Sequence, residues 1–166
     1  MKFKIADSIV AGLGFGTASG VITTLGIIVG LYSSSAARLA IIGGIFTVSV
    51  ADALSDALGE HLSEESKRHP VQTDVRNITI STFFSKLLIG LSFAIPFILL
   101  PVVHAVVISV IYSAVVLTLL SLRIAKRTGQ NRFEVITEHL LVGVSVVVIT
   151  FLLGKWVENA FDRSSM

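Results

Sequence analysis

The segment Ser49–Ser66, "SVADALSDALGEHLSEES", continues an apolar run that begins at Leu39, yet it carries an acidic residue at every fourth position. On a helix, four residues advance about 400° and 6 Å, so these acids form one stripe about 18 Å long. The acids of the stripe are Asp52, Asp56, Glu60 and Glu64. The segment therefore combines a bilayer-like composition with carboxylates that lead toward its middle.

The composition indicates an integral membrane protein. Of the 166 residues, 53% are hydrophobic and 14% are charged, which is more apolar surface than a soluble domain of this size can bury. The chain has no cysteine, so disulfides and thiolate metal sites are excluded. No phosphate-binding loop, nucleophile constellation or basic patch with interleaved aromatics occurs. Neither an enzyme nor a nucleic-acid-binding protein is therefore expected.

Five apolar runs are each long enough to cross a bilayer. Backbone groups in lipid must pair internally, so each run is predicted to be a helix of one all-α membrane domain over residues 1–166. The predicted spans are roughly 8–31, 38–62, 78–100, 102–122 and 133–153. We expect Pro96 to kink the third span and Asp7 to cap the first.

The basic residues predict the orientation of the bundle. Nine lie on one side of a five-helix arrangement and three on the other, so the positive-inside rule places the N-terminus inside and the C-terminus outside. The first group is Lys2, Lys4, Lys67, Arg68, Arg76, Arg123, Lys126, Arg127 and Arg132, and the second is Arg38, Lys155 and Arg163. Lys86 alone lies within a span.

The acidic stripe disfavours insertion of the second span. Two aspartates near the centre of a span cost roughly 5–7 kcal/mol, while the ten Leu, Ile, Val and Phe residues of 39–62 contribute only about 3–6 kcal/mol. Such acids need a partner, a cavity or an ion, and they most often lie on an ion or proton path. We therefore predict that Asp52, Asp56 and Glu60 bind a divalent metal ion, with Glu64 at the membrane surface.

A structural salt bridge is the alternative. Lys86 lies about 12 Å deep in the third span, between the levels of Asp56 and Asp52, but one lysine cannot neutralise three acids. Lys86 and Glu138 are candidates for a counter-charge or proton site. His61 could add a nitrogen ligand, although it points about 100° away from Glu60. The alternative function is a non-transporting membrane scaffold or metal sensor whose acids form ion pairs.

Several stretches resemble the vacuolar iron transporter family, including its nodulin-21-like members. "FGTASGVITTLGIIVGL" is similar to the family's first-helix signature and "DALSDALGEHLS" to its second-helix pattern. "LSFAIPFILLP" is similar to its third helix. "LRIAKRTGQNRFEVITEHLLVGVSVVVITFLLGK" is similar to its fourth-to-fifth connection and last helix. The likeness follows nearly the whole chain in order.

The resemblance implies a five-helix homodimer that exports Fe²⁺, and often Mn²⁺, from the cytosol in exchange for protons along a path between subunits. Glu60 stands at the family's second-helix glutamate, Asp56 at a usual methionine, and Ser19 at the first-helix aspartate. One interpretation is that the acid has moved from the first helix to the second, which favours Mn²⁺ or other hard ions. The departure at Ser19 also leaves open a changed substrate or a loss of transport. The family's cytoplasmic metal-binding insert after the second helix is absent.

The remaining expectations concern the path and its surroundings. Ser19 and Thr23 offer hydroxyls that could line it, and the small-residue pairs of the first helix, such as Gly16 with Gly20, predict close helix packing. The expected partners are divalent metal ions, protons, membrane lipid and a second copy of the chain, with no permanently bound cofactor. The expected location is the cell membrane of a prokaryote, or a vacuolar or other internal membrane of a eukaryote.

Overall fold

The computed structural model describes residues 2–162, including the side chains of residues 7–161. Over this range the chain forms α-helices joined by short connections, with no strand. The helices are α1 (Lys2–Ser33), α2 (Arg38–Glu65), α3 (Gln72–Ser92), α4 (Ala94–Leu99), α5 (Val102–Thr128) and α6 (Arg132–Asp162). Arg163, which the sequence assigns to the outer side, lies outside the described residues.

Five helical segments are long and apolar enough to cross a membrane, as predicted. They are Asp7–Ser33, Arg38–Glu65, Gln72–Leu99, Val102–Thr128 and Arg132–Phe161. The predicted spans are shorter than these helical segments, mainly at the charged ends, because polar residues continue the helices beyond the apolar runs. Asp7 lies inside α1, which begins at Lys2. The prediction that Asp7 caps this helix is therefore wrong.

The third span is interrupted at Phe93, between α3 and α4. Pro96 has no N–H to donate to the carbonyl of Ser92, so the helical ladder breaks one turn before the proline. Arg38 of α2 binds the carbonyls left free at the end of α4: Nε donates to Phe97 O at 2.7 Å and Nη2 to the carbonyl of the next residue at 2.8 Å. The helix is therefore interrupted where the sequence predicts a kink, and Arg38 connects α2 to the end of α4.

Small residues let α1 approach its neighbours closely. An added Cβ on Gly20 would lie 3.2 Å from the carbonyl oxygen of Lys86 on α3. One on Gly26 would lie 3.2 Å from Val146 Cγ1 on α6. The glycine pairs that the sequence singles out therefore bring helices together within one protomer.

The two ends of the bundle differ in the polarity of the residues buried near them. We call the end that holds the connections 66–71 and 129–131 the basic end, and the opposite end, with the connections 34–37 and 100–101, the far end. The half of the bundle toward the far end is filled by a buried apolar cluster. The cluster includes Val21, Ile28, Ile41, Ile45, Phe93, Ala94, Phe97 and Ala105. The half toward the basic end contains the polar site described next.

Candidate functional site

Lys86 is the centre of a buried charge cluster between α1, α2 and α3. Its side chain is only 3% exposed, and its Nζ contacts the carboxylates of both Asp52 and Asp56. The distance from Nζ to Asp52 Oδ2 is 2.6 Å. The two acids lie one turn apart on α2, so a single ammonium reaches both. Their side chains are 26% and 20% exposed, so they have access to space that the lysine lacks.

Ser19 of α1 completes the cluster. Its Oγ donates to Asp56 Oδ2 at 2.6 Å and accepts a hydrogen bond from Lys86 Nζ at 2.8 Å. The close packing of α1 on α3 at Gly16 and Gly20 brings this hydroxyl within reach. Ser19, where the resemblance leads us to expect an aspartate, thus contacts Asp56 of α2.

Ser49 Oγ makes no hydrogen bond within the described residues, whereas the nearby Asp52 Oδ2 pairs with the Lys86 ammonium at 2.6 Å. Ser49 is 2% exposed and lies almost one turn from Asp52 toward the far end. Gly90 of α3 makes room for it, since an added Cβ there would overlap Ser49 Oγ and lie 3.3 Å from Thr24 Oγ1. A buried polar atom without a partner is unusual and calls for a ligand or water.

The sequence analysis did not select Ser49 as a site residue. The signal was present, because Ser49 precedes Asp52 by three residues and therefore continues the acidic stripe as a hydroxyl. A serine in an apolar span normally bonds back to its own helix. Only the packing of Gly90 against it shows that its hydroxyl faces α3 instead.

The other two acids of the stripe lie nearer the basic end. Glu60 is half-buried one turn from Asp56, and no ion pair to it is found among residues 7–161. Glu64 pairs with Lys67. It also borders a cavity of about 260 Å³ at the ends of α1, α2 and α3, which we call the vestibule. The vestibule is lined by Asp7, Ser8, Ala11, Glu64, Lys67, Asp74 and Ile78.

Three other predicted residues lie apart from the cluster. His61 Nδ1 is 3.1 Å from Thr79 Oγ1, and its Nε2 is 3.4 Å from a carboxylate oxygen of Glu65. Thr23 is half-buried one turn beyond Ser19 on α1. Glu138 is exposed on α6, which packs against α1 and α5.

The predicted trio of acids does not form one compact ligand set. Within the part of the chain that the structure describes, no three His, Asp or Glu side chains converge as they would around a metal ion. Asp52 and Asp56 converge on Lys86 instead, while Glu60 lies one helical turn, about 6 Å, from Asp56. Any ion bound by the two aspartates must compete with the ammonium.

No protein-family model matches this chain, and no curated protein matches it either. The resemblance to the vacuolar iron transporter family therefore rests on the quoted motifs alone.

Proposed function

We propose that this protein is a secondary transporter that exports a divalent transition metal, Fe²⁺ or Mn²⁺, from the cytosol in exchange for protons. The observation that carries the proposal is the sharing of one buried ammonium by two carboxylates inside a membrane-spanning bundle. Ionisable groups at such depth are costly and usually mark an ion or proton path. The resemblance of the helix motifs to a metal transporter family supports the same function.

The charges of the cluster suit a cation. With Asp52, Asp56 and Lys86 all ionised, two carboxylates face one ammonium, and one negative charge stays uncompensated. Glu60 adds a further carboxylate without an ion-pair partner among residues 7–161. A divalent ion that replaces the ammonium between the aspartates would leave this pair neutral. The cluster therefore has the charge to hold either Lys86 or a metal ion, but not both equally well.

This competition supplies the coupling between metal and protons. When the metal enters, its bonds to Asp52 and Asp56 displace the Lys86 ammonium, which then gives up a proton to water on the cytosolic side. When the metal leaves on the other side, the lysine takes a proton from that side and pairs with the aspartates again. One metal ion moves outward and one proton moves inward in each cycle, and no proton is created or lost.

The route to the site starts at the basic end, which the positive-inside rule places in the cytosol. The vestibule holds the carboxylates of Asp7, Glu64 and Asp74. Lys67 pairs with Glu64 and Arg127 with Asp7, so the net charge of one carboxylate is left to attract a cation. From Glu64, two helical turns, about 12 Å, lead past Glu60 to Asp56. The apolar cluster fills the far half of the bundle, so we expect the metal to enter from the basic end. A second copy of the chain would line the other side of this path.

The donor atoms favour hard divalent ions. Asp52, Asp56, Glu60, Ser19 and Ser49 offer oxygen alone, and the family's usual methionine is replaced by Asp56. Carboxylates and hydroxyls prefer Mn²⁺ over softer ions, whereas thioethers do not. We expect Mn²⁺ to be the better substrate of the two metals.

Transport in proteoliposomes tests the proposal. Mn²⁺ flux driven by an imposed pH gradient is expected in the wild type and is expected to fall to the protein-free level in the double variant Asp56→Asn, Glu60→Gln. Glu134→Gln, a change at an exposed acid at the start of α6, is the matched control and should keep wild-type flux. Unchanged flux in the double variant would contradict the roles proposed for Asp56 and Glu60.

A scaffold held by ion pairs is the second candidate, and one observation favours it. Lys86 contacts both aspartates and Ser19 at once, which is a well-partnered arrangement for a purely structural cluster. Thermal unfolding in detergent separates the two functions. A transporter is stabilised by Mn²⁺ in proportion to the logarithm of its concentration above the dissociation constant, whereas a scaffold unfolds at the same temperature with and without the metal.

A further inference from the structure

A second feature of the bundle lies on the opposite side of α1 from the charge cluster. A groove of about 530 Å³ runs between α1 and α5 and is bordered by one residue of α3. Its lining includes Gly14 of α1, Ile89 of α3, and Val116, Arg123 and Arg127 of α5. Val10, Leu13 and Leu119 are 44%, 44% and 56% exposed. These exposed apolar residues lie within membrane-spanning segments, so the groove opens toward hydrocarbon.

The groove is apolar along its length and basic at one end. Arg123 and Arg127 lie one turn apart near the C-terminus of α5, at the basic end of the bundle. Among residues 7–161, no acidic side chain pairs with Arg123, whereas Arg127 contacts the carboxylate of Asp7. Arg123 therefore offers a free guanidinium at the level where a bilayer has its headgroups.

We infer that this groove binds an anionic phospholipid, with an acyl chain along α1 and α5 and the phosphate on Arg123. From Arg123 to Val116 the groove follows α5 for about 10 Å, which suits the first part of an extended acyl chain. Arginine binds phosphate oxygens in a bidentate manner, and basic pockets between membrane helices at this level bind anionic headgroups. Asp7 repels an anion at Arg127, so the phosphate lies on the Arg123 side.

Native mass spectrometry of the purified full chain in a neutral detergent tests this assignment. Phosphatidylglycerol is titrated against phosphatidylcholine of the same chains and against glycerol phosphate, which has the anion without the tails. We expect the wild type to retain phosphatidylglycerol in preference to the other two. Arg123→Gln should weaken its binding about fivefold, while Lys126→Gln, which removes a neighbouring charge that does not line the groove, should leave it unchanged.

A groove-filling variant tests the acyl-chain part independently of charge. Gly14 lines the groove, and an added Cβ on it would have no neighbour within 4 Å. Gly14→Leu should therefore fold normally and lose phosphatidylglycerol retention. Gly43→Leu is the matched control, because Gly43 is equally open on α2 and lies outside the groove. Melting curves of both variants without lipid verify that they fold.

Three results would overturn the inference. The first is equal retention of phosphatidylcholine and phosphatidylglycerol, which indicates a groove with no headgroup preference. The second is equal binding of glycerol phosphate, which indicates an anion site without an acyl chain. The third is a change from dimer to monomer in Arg123→Gln or Gly14→Leu, which indicates that a second copy of the chain occupies the groove.

Discussion

Lys86 decides how the buried acids of α2 are accommodated. Its single ammonium contacts the carboxylates of both Asp52 and Asp56. Within the described residues, Ser19 is the one residue of α1 that makes a polar contact with this cluster. Each partner of a buried ion pair is costly when the other is removed. The cluster therefore has to exchange its cation rather than simply lose it, which is the property that a transport cycle uses.

Replacement of this lysine should destabilise the metal-free protein strongly. Lys86→Met leaves Asp52 and Asp56 without a counter-charge, and removal of one partner of a buried pair costs about 3–5 kcal/mol. Lys155→Met is the control, since Lys155 and Glu158 form an exposed pair at 2.6 Å, and pairs of this kind contribute little to stability. Thermal unfolding in detergent measures both. Equal melting temperatures for the two variants would contradict this view of Lys86.

The sequence predicted the neighbours of Lys86 from depth alone. A rise of 1.5 Å per residue placed it between Asp56 and Asp52, and the structure has it in contact with both. The same reasoning could not place Ser49 or Ser19 around the cluster. Depth follows from counting residues, but the rotation of each helix about its axis depends on packing at positions such as Gly20 and Gly90, which no single span reveals.

At the scale of elements, the contact of α2 with α3 fixes the geometry of the site. Ser49 of α2 packs directly over Gly90 of α3, where an added Cβ would overlap the serine hydroxyl. Beyond this contact, the helix is interrupted at Phe93, between α3 and α4. The kink was readable from Pro96 because proline removes a defined hydrogen bond. The ends of the helices could not be predicted in the same way, because an apolar run shows which residues lie in the bilayer and not where the last helical turn ends.

One methyl group at this contact should separate the two helices. Gly90→Ala is expected to destabilise the protein by about 1–3 kcal/mol, the usual cost of overpacking, and to lower Mn²⁺ flux because the charged cluster spans the same interface. Gly43→Ala is the control, since its Cβ meets nothing within 4 Å and it should gain about 0.5–1 kcal/mol from helix propensity. A melting temperature of Gly90→Ala at or above that of Gly43→Ala would contradict close packing of Gly90 against Ser49.

The whole molecule is asymmetric across the membrane, with carboxylates and arginines at its basic end and an apolar cluster toward its far end. The proposed direction of export depends on the basic end facing the cytosol. Composition and the lengths of the apolar runs were sufficient to predict five helices that can cross a membrane, because bilayer thickness and backbone pairing restrict the possible folds so severely.

The absence of cysteine from the chain allows a direct test of orientation. His69→Cys lies in the connection after α2, and Asn159→Cys lies near the end of α6, and both positions are exposed. In intact cells, a membrane-impermeant maleimide should label Asn159→Cys and should label His69→Cys only after the membrane is opened. The reverse pattern would invert the orientation and the direction of export.

The most direct test of the central claim is the release of protons when the purified protein binds Mn²⁺. In weakly buffered detergent solution with a pH-sensitive dye, we expect the wild type to release protons on binding and to bind more weakly as the pH falls. Lys86→Gln should bind Mn²⁺ at least as tightly and release fewer protons. No binding by the wild type, or equal proton release by both proteins, would contradict the exchange of the Lys86 ammonium for a metal ion.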